Sequence, residues 1–165
     1  MIHPDMTPNR WYGLGSIYLR QEKYQLAEYH YRRALAINPQ NPILYCQLGA
    51  VLHKTKKNEE ALRMLEVASQ KAPDNPTVRF TRAEVLEASE RYEEALQELE
   101  VVRSHVPKEA TVLHKAGQLC KKLGRRDQAL RYFTFAYDLD PKEMGTGAKN
   151  ALERLENDEL EEDSF

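Results

Sequence analysis

Cysteine, glycine, tryptophan and long apolar runs are all scarce in this sequence. The two cysteines, Cys46 and Cys120, stand 74 residues apart, which excludes a disulfide scaffold and favours a reducing compartment. Seven glycines and eight prolines are too few for a collagen or a flexible linker. No stretch approaches the roughly 18 apolar residues that a membrane helix needs, and mean hydropathy is -0.71. The first residues lack a basic start followed by an apolar core, so no secretory leader is expected. What remains is ordinary globular material, 41% hydrophobic and 30% charged over 165 residues, enough for one domain or a short repeat array. The net charge of -2 hides an asymmetry. Between Glu153 and Asp163 lie seven acids against Arg154 alone, and the rest carries 23 basic and 19 acidic side chains. The acidic end reads as a solvated tail, and the mildly basic body carries no strong nucleic-acid signal.

The chain repeats itself every 34 residues. Prolines fall at 39, 73, 107 and 141, and a second series falls at 8, 42 and 76. Ala27, Ala61, Ala95 and Ala129 keep the same step, as do Gly15, Gly49, Ala83 and Gly117. A third small column holds Ala34, Ala68, Val102 and Ala136, and a large apolar column holds Tyr31, Leu65, Leu99 and Phe133. Within a unit, Trp11, Leu14, Gly15 and Tyr18 show the i, i+3, i+4, i+7 spacing of one helical face. A polar turn follows, then a second helix that Asn38-Pro39 stops, because the proline ring disfavours helix at the residue before it. The spacing predicts helices over 8–21, 24–37, 42–55, 58–71, 76–89, 92–105, 110–123 and 126–139. The small columns let the two helices of a hairpin approach closely, and the large column fills the gaps. A last segment, 142–157, carries Ala148, Ala151, Leu152 and Leu155 on one side and suits a capping helix.

These residues resemble the tetratricopeptide repeat, with its W-x2-L-G-x2-Y, A-x3-F, A and P pattern. The best copy is Trp11, Leu14, Gly15, Tyr18, Ala27, Tyr31, Ala34 and Pro39; the third is degenerate, with Arg79 and Arg82 at usually apolar slots. The resemblance implies an all-α fold, a right-handed superhelical solenoid of four helix hairpins plus the capping helix. The divisions are a remnant of a preceding repeat over 1–7, repeats over 8–41, 42–75, 76–109 and 110–141, the cap over 142–157 and the acidic tail over 158–165. Trp11 and Tyr12 are expected on an uncovered end of the stack, needing either a preceding repeat or self-association to hide them.

No catalytic constellation is present, and no cofactor or metal is expected. Gly13-Leu14-Gly15 lies within a helix, and no phosphate loop, nucleophile elbow or H-E-x-x-H appears. The five histidines lack the i, i+4 pairing that suits zinc. Cys46 and Cys120 read as small apolar fillers at packing positions, and the glutamates that open second helices as partners of the helix dipole. The basic runs Lys54-Lys56-Lys57 and Lys121-Lys122-Arg125-Arg126 read as soluble turns.

The informative surface is the concave one, which the first helices of a solenoid line. The expected peptide-contacting residues are Tyr12 and Ser16, then Cys46, Gln47, Ala50 and His53, then Phe80, Glu84 and Glu87, then His114, Gln118 and Lys121. The Lys/Asn clamp with which some such repeats grip acidic chaperone tails is absent, since its slots hold Tyr12, Ser16, Gln47, Thr77 and Thr81. Glu84 and Glu87 suggest the opposite logic. Lying i, i+3, they can present two carboxylates to an arginine. Tyr12, Ala50 and Phe80 would meet apolar side chains, and Gln47 and Gln118 a peptide backbone.

Longer stretches are similar to the C-terminal repeats of Cdc27-type subunits of the anaphase-promoting complex, a cell-cycle ubiquitin ligase. They include Trp11-Tyr12-Gly13-Leu14-Gly15-Ser16-Ile17-Tyr18, Ala36-Ile37-Asn38-Pro39-Gln40, Val106-Pro107-Lys108-Glu109 and Ala136-Tyr137-Asp138-Leu139-Asp140-Pro141-Lys142. The resemblance implies a non-enzymatic scaffold in nucleus and cytoplasm whose groove receives Ile-Arg tails of co-activators and other subunits. Neither nucleic acid nor membrane is an implied partner. The alternative is a general tetratricopeptide adaptor or co-chaperone with another partner.

Overall fold

The computed structural model describes residues 7–142 together with Glu153, Arg154 and Asn157. Eight helices run in order: α1 (Pro8–Arg20), α2 (Tyr24–Ile37), α3 (Pro42–Lys54), α4 (Asn58–Lys71), α5 (Pro76–Ala88), α6 (Tyr92–His105), α7 (Ala110–Lys122) and α8 (Arg126–Leu139). No strand occurs among the described residues. The chain divides into two compact units, one ending at Ser89 and holding α1–α5, the other starting at Glu90 and holding α6–α8. In the first unit α1 pairs with α2 and α3 with α4, and α5 packs on α3 and α4. In the second, α7 pairs with α8 and α6 packs on α7. Of the expected capping helix, Lys142, in a turn, and Glu153, Arg154 and Asn157, which are helical, are described, and the rest lies outside the described residues. The expected repeat remnant falls outside them apart from Thr7, as does the acidic tail entirely.

Every second helix has the bounds its periodicity predicts, and every first helix ends one residue sooner than expected. The starts of α1, α3 and α5 have a common cause. Each opens on a proline, whose missing N–H costs nothing in a first turn. Each is preceded by Thr7, Asn41 or Asn75, whose side-chain oxygen accepts a backbone N–H of that turn.

The inner turn of each hairpin is set by one residue in the left-handed region. Glu22, Lys56, Glu90 and Gly124 have φ of 60°, 63°, 59° and 74°, and they recur at the repeat step. The next N–H then reaches back to the helix: Lys23 donates to the Tyr18 carbonyl (2.9 Å), Lys57 to Leu52 (2.8 Å) and Arg125 to Cys120 (2.8 Å). Only the last copy places glycine where a side chain is strained. Lys56→Gly is therefore expected to stabilise the protein by about 0.5–1 kcal/mol, the relief of left-handed strain less the extra chain entropy of glycine. A urea midpoint below that of the wild type would contradict this.

The core is built from the columns. Ala27, Ala61, Ala95 and Ala129 are wholly buried, as are Tyr31, Leu65, Leu99 and Phe133 to within 1%. The glycines in the small column are demanded by distance. A Cβ at Gly15 would stand 2.8 Å from the Tyr31 ring, at Gly49 2.7 Å from Leu65 Cγ, and at Gly117 2.7 Å from the Phe133 ring.

Two arginines at usually apolar slots have their own solution. Arg79 Nε donates to the Pro73 carbonyl at 2.9 Å, as the Tyr45 hydroxyl one repeat earlier donates to the Pro39 carbonyl at 2.9 Å. Both side chains tie down the loop that precedes their own helix. Arg82 Nη2 reaches Glu66 at 2.8 Å. The first hairpin also departs from expectation. Trp11 and Tyr12 are half-buried within their own hairpin, Trp11 against Tyr29, His30 and Arg33, and Tyr12 against Tyr31. On α1, Ile17 is 42% exposed, whereas Val51, Val85 and Leu119 at the same repeat slot are fully buried.

Candidate functional site

The expected peptide-contacting residues all lie on first helices, where hairpin packing holds them. In the first unit Tyr12 and Ser16 lie on α1, Gln47, Ala50 and His53 on α3, and Phe80, Glu84 and Glu87 on α5. All eight are half-buried, the state of a side chain that touches its neighbours and still presents a face. Cys46 is a correction. It is 3% exposed and its thiol engages Thr81, so it is a packing residue that a peptide does not reach. Burial pushes the Cys46 thiol upward in pKa, further from a reactive thiolate. Ser16 and His53 also have internal work: Ser16 Oγ lies 3.0 Å from the Tyr31 hydroxyl, and His53 Nδ1 3.0 Å from Asn58 Oδ1.

Phe80, Glu84 and Glu87 stand at i, i+4 and i+7 on α5 and so share one face. One apolar ring and two carboxylates follow one another along that face. Glu87 Oε2 is buried, and a carboxylate oxygen taken out of water favours a cationic hydrogen-bond donor over a neutral one.

In the second unit His114, Gln118 and Lys121 lie on α7, with Gln118 and Lys121 exposed. The His114 ring packs on Phe133, with centroids 5.3 Å apart, and its Nε2 lies 3.2 Å from Gln118 Nε2. Its Nδ1 is buried without a hydrogen-bond partner among the described residues. Burial, assisted by the charge of Lys115, lowers the His114 pKa from 6.5. The folded protein therefore resists a proton that the unfolded chain accepts. Stability is full above the unfolded value and falls as pH drops through 6.5 toward the folded value. Urea midpoints taken at about pH 7.5 and about pH 5.5 should fall on acidification, and His114→Gln should remove part of that fall.

Three members of the two basic runs have partners within the fold. Lys57 lies 3.6 Å from Glu28, Arg125 hydrogen-bonds both oxygens of Glu93, and the Lys122 ammonium sits 5.2 Å from the Tyr92 ring centre. No group of three or more His, Cys, Asp or Glu among the described residues is placed to hold a metal ion. Nor is any described helix long and apolar enough to cross a membrane.

Profiles of repeat families match nearly all of this architecture. The profile described as "TPR repeat" matches residues 15–56, and two described as "Tetratricopeptide repeat" match 52–119 and 110–143. The chain is a tetratricopeptide-repeat protein. Its repeats resemble those of Cdc27-type proteins. It is 52% identical over 60 residues to cell division cycle protein 27 homolog B of Arabidopsis thaliana, a match covering 36% of this chain and 8% of that protein. It is 39% identical over 54 residues to anaphase-promoting complex subunit 3 of Schizosaccharomyces pombe, covering 33% of this chain and 8% of that one. The matched stretches are thus a small fraction of the length of those relatives. Among solved structures, this tetratricopeptide-repeat chain is similar to YrrB, described as a TPR protein with an unusual peptide-binding site. Identity is 28%, the TM-score is 0.76, and the match covers 87% of this chain and 73% of YrrB. MamA of Desulfovibrio magneticus RS-1, 17% identical, shares the fold with a TM-score of 0.85 over 95% of this chain and 88% of that one.

Sequence reading located the first helices; of its twelve candidate residues on them nine are half-buried, Cys46 is buried, and Gln118 and Lys121 are exposed. It missed Tyr45, Arg79 and Arg82 as hairpin-tying groups. The only available signal was that Tyr45 and Arg79 occupy one slot and both carry a donor at the end of a long side chain.

Proposed function

We propose that this protein is a non-catalytic scaffold of an anaphase-promoting-type ubiquitin ligase, and that its first helices receive the Ile-Arg end of a partner protein. Tetratricopeptide repeats are protein-interaction modules, and the likeness to Cdc27-type repeats supplies the assembly. A scaffold of this kind would act in nucleus and cytoplasm. The observation that carries the peptide reading is the α5 face, where Phe80 precedes two half-buried carboxylates, Glu84 and Glu87. An arginine side chain meets Glu84 and Glu87 through charge-assisted hydrogen bonds, and the isoleucine before it meets Phe80 and Ala50. Gln47 supplies a hydrogen bond to the peptide backbone. YrrB, with its peptide-binding site, supports the general use of such a surface.

The test is a binding comparison between a peptide ending in Ile-Arg and one ending in Glu-Val-Asp. Retention of the first alone supports the reading. Retention of the second alone overturns it in favour of a chaperone adaptor.

A further inference from the structure

The second unit carries a surface feature that peptide binding by first helices does not use. A cleft of about 270 Å³ lies between two second helices, lined by Arg103 of α6 and by Gln128, Arg131, Tyr132 and Phe135 of α8. The four α8 residues stand at i, i+3, i+4 and i+7, so they form one stripe. That stripe is separate from Ala129, Phe133 and Ala136, which are buried in the core.

Three facts distinguish this cleft from ordinary helix surface. Phe135 is 52% exposed, a large ring left in water. Arg131 is exposed and has no ion-pair partner among the described residues. Arg103 stacks on the Tyr132 ring at 5.7 Å, and its ion pair with Glu100 at 3.7 Å is solvent-exposed on both sides, so it holds the guanidinium weakly. The fold does not require this chemistry. At the slot of Phe135 the preceding repeats carry Arg33, Val67 and Val101, and at the slot of Tyr132 they carry His30, Met64 and Glu98.

We propose that this cleft docks an acidic segment of a partner protein that carries an aromatic or large aliphatic side chain beside its carboxylates. The two guanidinium groups flank the apolar floor made by Tyr132 and Phe135. A carboxylate bridging Arg103 and Arg131 would set the register of the segment, and the neighbouring ring would cover Phe135. The volume fits one large side chain and its charged neighbour, below the roughly 300–1,000 Å³ of a small-molecule site. Charge complementarity selects an acidic occupant over a basic one.

Fluorescence anisotropy on the full chain tests this, with a labelled peptide of alternating glutamate and phenylalanine as probe. Binding that weakens with added salt is expected. Arg131→Glu should weaken it by about tenfold or more, and Phe135→Ser by about threefold or more. Both positions are exposed, and circular dichroism of each variant confirms that it is folded. Glu84→Gln should leave this probe unaffected, so failure here and failure of the Ile-Arg reading are separable. The proposal is overturned if Arg131→Glu binds like the wild type, or if a lysine–phenylalanine peptide binds equally well. It is also overturned if a chain ending at Asn157 binds the probe far more tightly than the full chain. That result would give the cleft to the chain's own acidic end.

Discussion

Gly117→Ala is expected to destabilise the last hairpin by about 1–3 kcal/mol, although alanine is the better helix former by about 1 kcal/mol. The added Cβ would stand 2.7 Å, 2.8 Å and 3.0 Å from three carbons of the Phe133 ring. That ring is 1% exposed and backed by His114, so it has no free direction in which to retreat. Gly13 supplies the control. It lies in a first helix too, but nothing stands within 4 Å of a Cβ built there. Gly13→Ala should therefore gain about 1 kcal/mol where Gly117→Ala loses stability. A combination of Gly117→Ala with Phe133→Leu should recover part of the loss, because the third repeat carries Ala83 and Leu99 in those two columns. Urea melts of the three variants beside the wild type measure all of this. A Gly117→Ala midpoint at or above that of the wild type would remove close approach as the reason for glycine.

Replacing Glu84 and Glu87 together by glutamine should weaken binding of an Ile-Arg peptide by about 100-fold. Hydrogen bonds to charged groups contribute about 1.5–3 kcal/mol each when sheltered, against about 0–1 kcal/mol for an exposed rim pair. Both carboxylates are half-buried and Glu87 Oε2 is buried, which places them nearer the sheltered case. Glu84→Gln alone should cost about tenfold. Glutamine keeps the shape and removes the charge, so the loss reports electrostatics and not packing. The same peptide with lysine in place of arginine should bind more weakly, since an ammonium cannot make the paired contact of a guanidinium. Equal affinity of the double variant and the wild type would take these residues out of the site.

Helix positions were legible because their causes are local and periodic. Proline stops, Asn-Pro starts and the small and large columns each act within one hairpin, so a 34-residue step carries them to every copy. The left-handed turn was less visible. Glutamate, lysine, glutamate and glycine share its slot, and only the glycine signals the conformation. Composition misled at Arg79 and Arg82, which read as degeneracy and instead make a loop tether and an ion pair. It misled at Trp11 as well, because an aromatic on a first helix can be covered by rings of its own hairpin. Cys46 shows the limit for the candidate site. Its slot places it on a first helix, but whether such a residue faces outward or toward its neighbours depends on the packing of α3 against α5.

The sequence by itself determined the repeat, the helices and the residues at which two helices touch, since steric matching at fixed helical spacing needs no distant information. Only the tertiary structure decided which polar side chains find partners, which carboxylates are half-buried, and that Arg103 and Arg131 border one cleft. Those properties depend on groups brought together from different helices, and neither spacing nor composition measures that distance.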